Sequence, residues 1–431
     1  MLIRKKEGRS PSFLLKRGYM TKKSFISISF VLVTLIGLCQ NTSTNMLNTS
    51  LSPFANYMWN SKTMGGLLTS FFNIGSIGMA FISGLIIQKL GNKLSLVTTC
   101  LLYACSTIIF IAIPTEQMSL LARLLQGISK GMITVTCASV IAEVVPIGRM
   151  NEGMGIFGLG NTFSMAFGPM IALNLIGINN NYQLMFTVCT LIVLVAAILS
   201  LFLKHQPSKI EQKNEIEDEY KGIWKFIEKM AILPSLIYTI FFGSFACIIV
   251  FLTVYSQEIL GLSANQISMF YVIATISMLV TRLFAGKVAD KYGELYIVIP
   301  GCLSMLIMLM ILAFGCSDDN AYLMFLIAGC LYGIGNATVQ PALNAIAVVD
   351  SPKQRSSIAN ATFYFMMDFG ILFASMTFGR VIDTAVTPKM GYIAVFIISA
   401  IINLTSLIMA IVLLNRKARA KRRLKNGIIL D

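Results

Sequence analysis

Three charges stand where an apolar chain tolerates them least. Asp368 lies in "TFYFMMDFG", Thr362 to Gly370, and is the one acid in the middle of an apolar stretch; Glu143 and Asp383 fall near the ends of theirs. Arg123 opens "RLLQG", with Gln126 three residues on and Lys130 seven residues on. At 3.6 residues per turn, all three share one helix face. An arginine at bilayer depth costs at least ~2.5 kcal/mol unless it meets water or a partner. A carboxyl that moves between a dry setting and one beside a cation can take up a proton in one and release it in the other. Lys130 and Arg123 could hold a carboxylate substrate, or the lysine could carry the proton itself. Each charge also has a packing reading: Arg123 bonded to backbone carbonyls, Lys130 neutralised from another helix, Asp368 locked in a permanent ion pair.

These residues need apolar elements around them, and the composition supplies little else. The chain has 431 residues, 56% hydrophobic and only 12% charged, against about 25% charged in soluble domains. Its apolar runs have the length of membrane-crossing helices rather than barrel strands. Twelve spans are expected, near 24–47, 62–87, 94–114, 118–143, 152–175, 183–204, 231–257, 265–287, 295–315, 321–348, 357–382 and 391–414. The chain thus divides into a basic amino-terminal segment 1–23, a six-helix bundle 24–204, a polar central loop 205–230, a second bundle 231–414 and a basic tail 415–431. Most of the 34 Lys and Arg fall in the termini and in alternate loops, which by the positive-inside rule lie in the cytoplasm. An even number of spans puts both termini on that side. A multi-pass protein of a cell (inner) membrane is expected, with its first apolar run retained rather than cleaved.

Other chemistry is excluded by what is missing. The basic tail has no interleaved aromatics and reads as an anchor beside anionic lipid, not a nucleic-acid site. The nine cysteines are scattered without a CxxC, and the one histidine, His205, sits at the edge of the central loop, so no metal site is expected. There is no GxxxxGK[ST] and no soluble domain to bind nucleotide. No nucleophile–base pair suggests an enzyme.

The chain repeats itself. "SGLIIQKLG", Ser83 to Gly91, has a near-double in "AGKVADKYG", Ala285 to Gly293, about half the chain away. Each copy joins the second and third span of its half. "GISKGM" at 127–132 and "GCLYGIG" at 329–335 echo at a similar offset. The halves are therefore expected to be pseudo-symmetric six-helix bundles related by an axis along the membrane normal. With "PIGRMNEGMGIFG", Pro146 to Gly158, and "GPMIA", Gly168 to Ala172, these features resemble the major facilitator superfamily, and within it the drug:proton antiporters with twelve spans. The resemblance covers essentially the whole chain.

That resemblance implies an all-α membrane fold of two bundles that rock about a central site. It ties Arg123 to proton coupling, the role its own setting suggests for Asp368, and it puts Asn41 and Asn45, which bound "NTSTN" in the first span, at the border of the substrate cavity; Lys130, where the family commonly has a small residue, and Gln126 are expected to line that cavity from their shared face with Arg123. The doubled loop, Gly84, Gln88 and Gly91 with Arg282, Gly286, Asp290 and Gly293, would gate the cytoplasmic side. A carboxylate at Asp290 can face the amino end of span five, where unpaired N–H groups and the helix dipole favour an anion by ~0.5–2 kcal/mol. Gln88, facing span eleven by analogy, keeps an acceptor without the charge, where the family carries an acid. Gly168-Pro169 would kink span five, a mark of exporters; Ala172 stands where the family has glycine. The expected function is proton-coupled export of small amphipathic compounds without a cofactor, by a monomer in the bilayer. The alternative is import or exchange of a small organic anion held by Arg123 and Lys130.

Overall fold

The computed structural model describes residues 27–145, 149–177, 179–203, 224, 227–316, 319–352 and 355–425. The basic amino terminus and nearly all of the central loop lie outside that set, as do the side chains of Gln88 and Asp290. Among the described residues every regular element is a helix. They are α1 (Ile28–Trp59), the bent run Lys62–Ala112, α4 (Glu116–Val144), α5 (Met150–Ile176), α6 (Tyr182–Leu201), α7 (Lys229–Glu258), α8 (Ala264–Tyr292), α9 (Leu295–Met310), α10 (Ala321–Val349), α11 (Ser356–Asp383) and α12 (Pro388–Lys425). Lys62–Ala112 turns at Gly91, whose φ of 73° suits glycine, so its two arms are α2 and α3. The symmetric turn after α8 is made by Gly293 at φ 104°. The remaining two glycines of the doubled loop do something else: a Cβ on Gly84 or Gly286 would meet nothing within 4 Å, so neither closes on a neighbouring helix here.

Helix starts follow the sequence closely. Ser27, Ser61, Thr115, Asn181 and Ser263 each accept from a backbone N–H in the first turn of the helix they precede. Ten helical segments are long and apolar enough to cross a membrane; α1 and α2 complete the twelve, and their polar residues turn inward. The first helix departs most from expectation. It continues through Pro53 to Trp59 instead of stopping near residue 47. The hydroxyls of Thr49 and Ser50 bond back to the carbonyls one turn earlier, and residues 49–55 are buried, so packing holds the helix past its proline.

The bundles have separate cores, one drawn from Phe30 to Leu203 and one from Ala231 to Leu413 with Leu173 reaching in from α5. They repeat the same contacts. A Cβ on Gly127 of α4 would lie 1.9 Å from the Phe72 carbonyl of α2, and one on Gly333 of α10 would lie 2.3 Å from the Ala274 carbonyl of α8. Phe54 of α1 packs on Tyr182 and Phe186 of α6, as Tyr255 of α7 packs on Tyr392 and Phe396 of α12. The bundles meet along α1–α7, α2–α11 and α5–α8. Exchanging the halves turns α2–α11 into α8–α5 and leaves α1–α7 in place, as a two-fold demands.

Candidate functional site

A belt of polar side chains crosses the gap between the bundles at mid-depth. On α11, the Asp368 carboxylate accepts from Ser76 Oγ of α2 at 3.1 Å, a bond between the two halves. Lys130 of α4 is close enough to act electrostatically on Asp368, yet its ammonium is spent on Asn41 Oδ1 of α1. One turn along α1, Asn45 donates to Ser164 Oγ of α5 at 3.1 Å. Two residues before that serine, Thr162 receives a hydrogen bond from Arg282 of α8 at 2.8 Å, again between the halves. Asp368, Lys130, Asn41, Asn45 and Arg282 are all only partly buried, although each lies well inside its helix. Among the described residues neither Asp368 nor Arg282 has an ion-pair partner.

Gly168 makes this belt possible. A Cβ there would sit 2.7 Å from Asn45 Cβ and 3.1 Å from the Met46 nitrogen. The glycine lets α5 lie directly against α1 where the asparagines project. With Pro169 beside it, α5 still runs unbroken from Met150 to Ile176. The proline leaves the Met165 carbonyl without its helical donor.

Arg123 and Gln126 lie elsewhere. Both are fully buried inside the first bundle. Arg123 Nε donates to the Leu68 carbonyl at 3.1 Å, Nη1 to Gln126 at 3.1 Å and Nη2 to Asn48 at 3.0 Å, and the guanidinium stacks on Phe72 at 4.3 Å. Gln126 passes the network on to Thr107 at 3.1 Å. The structure therefore does not bring Arg123 and Asp368 together. The shared face of α4 points Arg123 at α1 and α2 rather than across the gap, because those helices close over it two turns before Lys130.

A second constellation joins the bundles at the other end of α11, and sequence reasoning did not single it out. Asp383 accepts from the backbone N–H of Lys62 at 3.1 Å and of Thr63 at 2.7 Å, and from the Thr63 hydroxyl at 2.7 Å. This is a carboxylate on the unpaired amino end of α2, the chemistry expected of Asp290, but at the opposite end of the molecule. Beside it Glu258 of α7 pairs with Lys62 at 3.2 Å and accepts from Asn56 at 2.8 Å. The signal was available: two acids at span ends, facing a helix start with a lysine. Asp383→Asn is expected to weaken this tie by about 1 kcal/mol, a roughly five-fold shift toward conformations that separate α2 from α11. Distances between spin labels at the two helix ends measure it; an unchanged distribution would show that the tie does not hold the bundles together.

Two pseudo-symmetric six-helix bundles with a charged belt between them have the architecture of a membrane transporter. Residues 33–375 match the Major Facilitator Superfamily, and the chain belongs to that family. It is 22% identical to the quinolone resistance protein NorA of Staphylococcus aureus, over 84% of this chain and 89% of that protein. It is 24% identical to the proton-coupled antiporter flippase LtaA of Staphylococcus saprophyticus, over 70% of this chain and 74% of that one. Among solved structures, the nucleoside transporter NupG superposes with a TM-score of 0.74 at 13% identity, covering 89% of this chain and 99% of its own. The chain is a transporter and not an enzyme.

Proposed function

We propose that the protein is a proton-coupled exporter of small amphipathic compounds, placed in the cell membrane with both termini in the cytoplasm. The observation that carries this reading is Asp368: a mid-helix carboxyl, free of any described ion pair, bonded across the gap to Ser76. Such a group can take a proton or a cationic substrate group, but not both at once. That exclusion is what antiport requires. Asp383 and Glu258 hold the bundles together at the end of α11, which the distribution of basic residues assigns to the outside. Rocking would release those ties, turn Asp368 outward to load a proton, and return it inward to exchange the proton for substrate. NorA and LtaA bear names for drug resistance and proton-coupled antiport, which supports the direction of movement.

The organic-anion alternative draws on Arg123 and Lys130 together; full burial among neutral acceptors leaves the Arg123 guanidinium no face for a ligand, so only Lys130, which borders the gap and bonds to Asn41, could serve it. Purified protein in vesicles with an imposed pH gradient tests the proposal. Amphipathic substrates added to the vesicles should collapse the gradient in proportion to their uptake. Uptake that proceeds with the gradient intact, for every compound transported, would rule out proton exchange.

A further inference from the structure

The seam between α2 and α11 can be followed contact by contact from the tie at Asp383. A Cβ on Gly379 would lie 2.6 Å from the Lys62 carbonyl, and one on Gly66 would lie 2.0 Å from the Ser375 carbonyl. One turn further, Ser70 Oγ is 2.9 Å from Ser375 Oγ and 3.0 Å from the Leu372 carbonyl. Ser76 to Asp368, at 3.1 Å, is the last hydrogen bond of this series among the described residues. Past it, toward the doubled loop, a Cβ on Gly78 or Gly84 would meet nothing within 4 Å, and Tyr364, one turn before Asp368, is 42% exposed. The tight part of the seam ends at the carboxylate.

The Ser76 hydroxyl behaves unlike its neighbours. Thr69, Ser70 and Asn73 of the same helix each turn back to the carbonyl one turn earlier. Ser76 reaches across to Asp368, and α4 supplies the reason. A Cβ on Gly127 would lie 1.9 Å from the Phe72 carbonyl, the acceptor one turn before Ser76, and 3.0 Å from the Ser76 nitrogen; one on Gly131 would lie 2.8 Å from the Ser76 carbonyl. These glycines, on either side of Lys130, press α4 onto α2 here. They crowd the local acceptor and fix the serine backbone within the first bundle. The other titratable groups around Asp368 are Lys130 of α4, whose ammonium bonds to Asn41, Tyr238 of α7, and Tyr364 on α11 itself.

We propose that Ser76 is the positioning residue of Asp368: its hydroxyl, held in place by α4, keeps the carboxylate charged while α2 and α11 are together and lets it take a proton once they part. A hydrogen bond donated to a carboxylate favours the charged form. The donor belongs to α2 and the acceptor to α11, so the bond lasts only while the two helices meet at this level. Parting them removes the donor and leaves the carboxyl to load a proton. Closing them brings the donor back and favours release. The inference rests on the exporter reading and supplies what that reading needs, a proton site whose affinity follows the bundle geometry.

Infrared difference spectra of the full-length protein in lipid nanodiscs test this. A titration from about pH 4 to 9 follows the protonated carboxyl of Asp368, and Asp368→Asn identifies its band. Ser76→Ala should move the midpoint to higher pH by about one unit, the worth of one hydrogen bond to a charged group, because the lost donor favoured the charged form. Ser76→Thr keeps a hydroxyl and should stay near the unmodified protein. Ser70→Ala removes the neighbouring seam contact without touching Asp368, and should leave the midpoint in place. The proposal is overturned if no band responds to Asp368→Asn, if Ser76→Ala leaves the midpoint unmoved, or if Ser70→Ala moves it as far. Proton movement is recorded on the same proteins in vesicles. A midpoint that depends on Ser76 without proton exchange defeats the antiport reading alone, and proton exchange with a midpoint indifferent to Ser76 defeats this inference alone.

Discussion

Asp368→Asn is expected to abolish substrate-driven proton movement while leaving an inserted, folded protein that still lets substrate equilibrate downhill. Asparagine has the shape of the acid and can still accept from Ser76, so the bond between α11 and α2 survives with a neutral acceptor. The loss in stability should stay within about 1 kcal/mol, the difference between a charged and a neutral hydrogen bond offset by easier burial. What disappears is the exchangeable proton. The proton-dependent part of transport should fall to the level of protein-free vesicles, and the effect should be the same at every pH tested, because no other acid lies in the middle of a span. Glutamate at this position should restore part of the coupling, since it keeps the proton and shifts it by one methylene. Proton-driven transport in Asp368→Asn equal to the unmodified protein would remove the residue from the mechanism.

The largest loss of stability is expected from Arg123→Ala. The guanidinium supplies donors to three acceptors from three helices: the Leu68 carbonyl, Gln126 on its own helix and Asn48 of α1. Removing it strands those acceptors in a dry interior at about 1–3 kcal/mol each, and also forfeits the contact with Phe72. A total near 4 kcal/mol is expected, enough to lower yield and thermal midpoint sharply. Arg123→Lys should recover little, because an ammonium cannot reproduce the planar fork that reaches three acceptors at once. Thermal unfolding in detergent measures this. The contrast with Asp368→Asn is informative: one substitution should spare stability and remove coupling, the other should remove stability and, in whatever protein survives, leave coupling largely in place. An Arg123→Lys protein as stable as its parent but uncoupled would reverse the two assignments.

Much of the architecture was written in one dimension. Apolar runs of membrane-crossing length, basic residues in alternate loops and a loop written twice lead to twelve helices in two related bundles, because each feature depends on neighbours in the chain or on the bilayer, not on partners far away. Polar caps such as Ser61 and Ser263 mark helix starts for the same reason. Asp368, Lys130, Asn41 and Asn45 could be picked out because polarity inside an apolar run is costly wherever the run packs.

Partnership was another matter. Helical periodicity put Arg123, Gln126 and Lys130 on one face, and they do share it, but two turns separate a position sealed by α1 and α2 from one that borders the gap. Arg282 read as part of a gate, and its bond to Thr162 depends on α5 crossing α8, which nothing near either residue encodes. Asp383 looked like an ordinary acid at a span end until α11 was seen to finish against the start of α2. In each case the chemistry of a residue follows from its own type and neighbours, while its partner depends on how helices distant in sequence cross. Those crossings are set by close approaches such as Gly168 on Asn45 and Gly127 on Phe72, which involve contacts along whole helix faces and cannot be read from either segment separately.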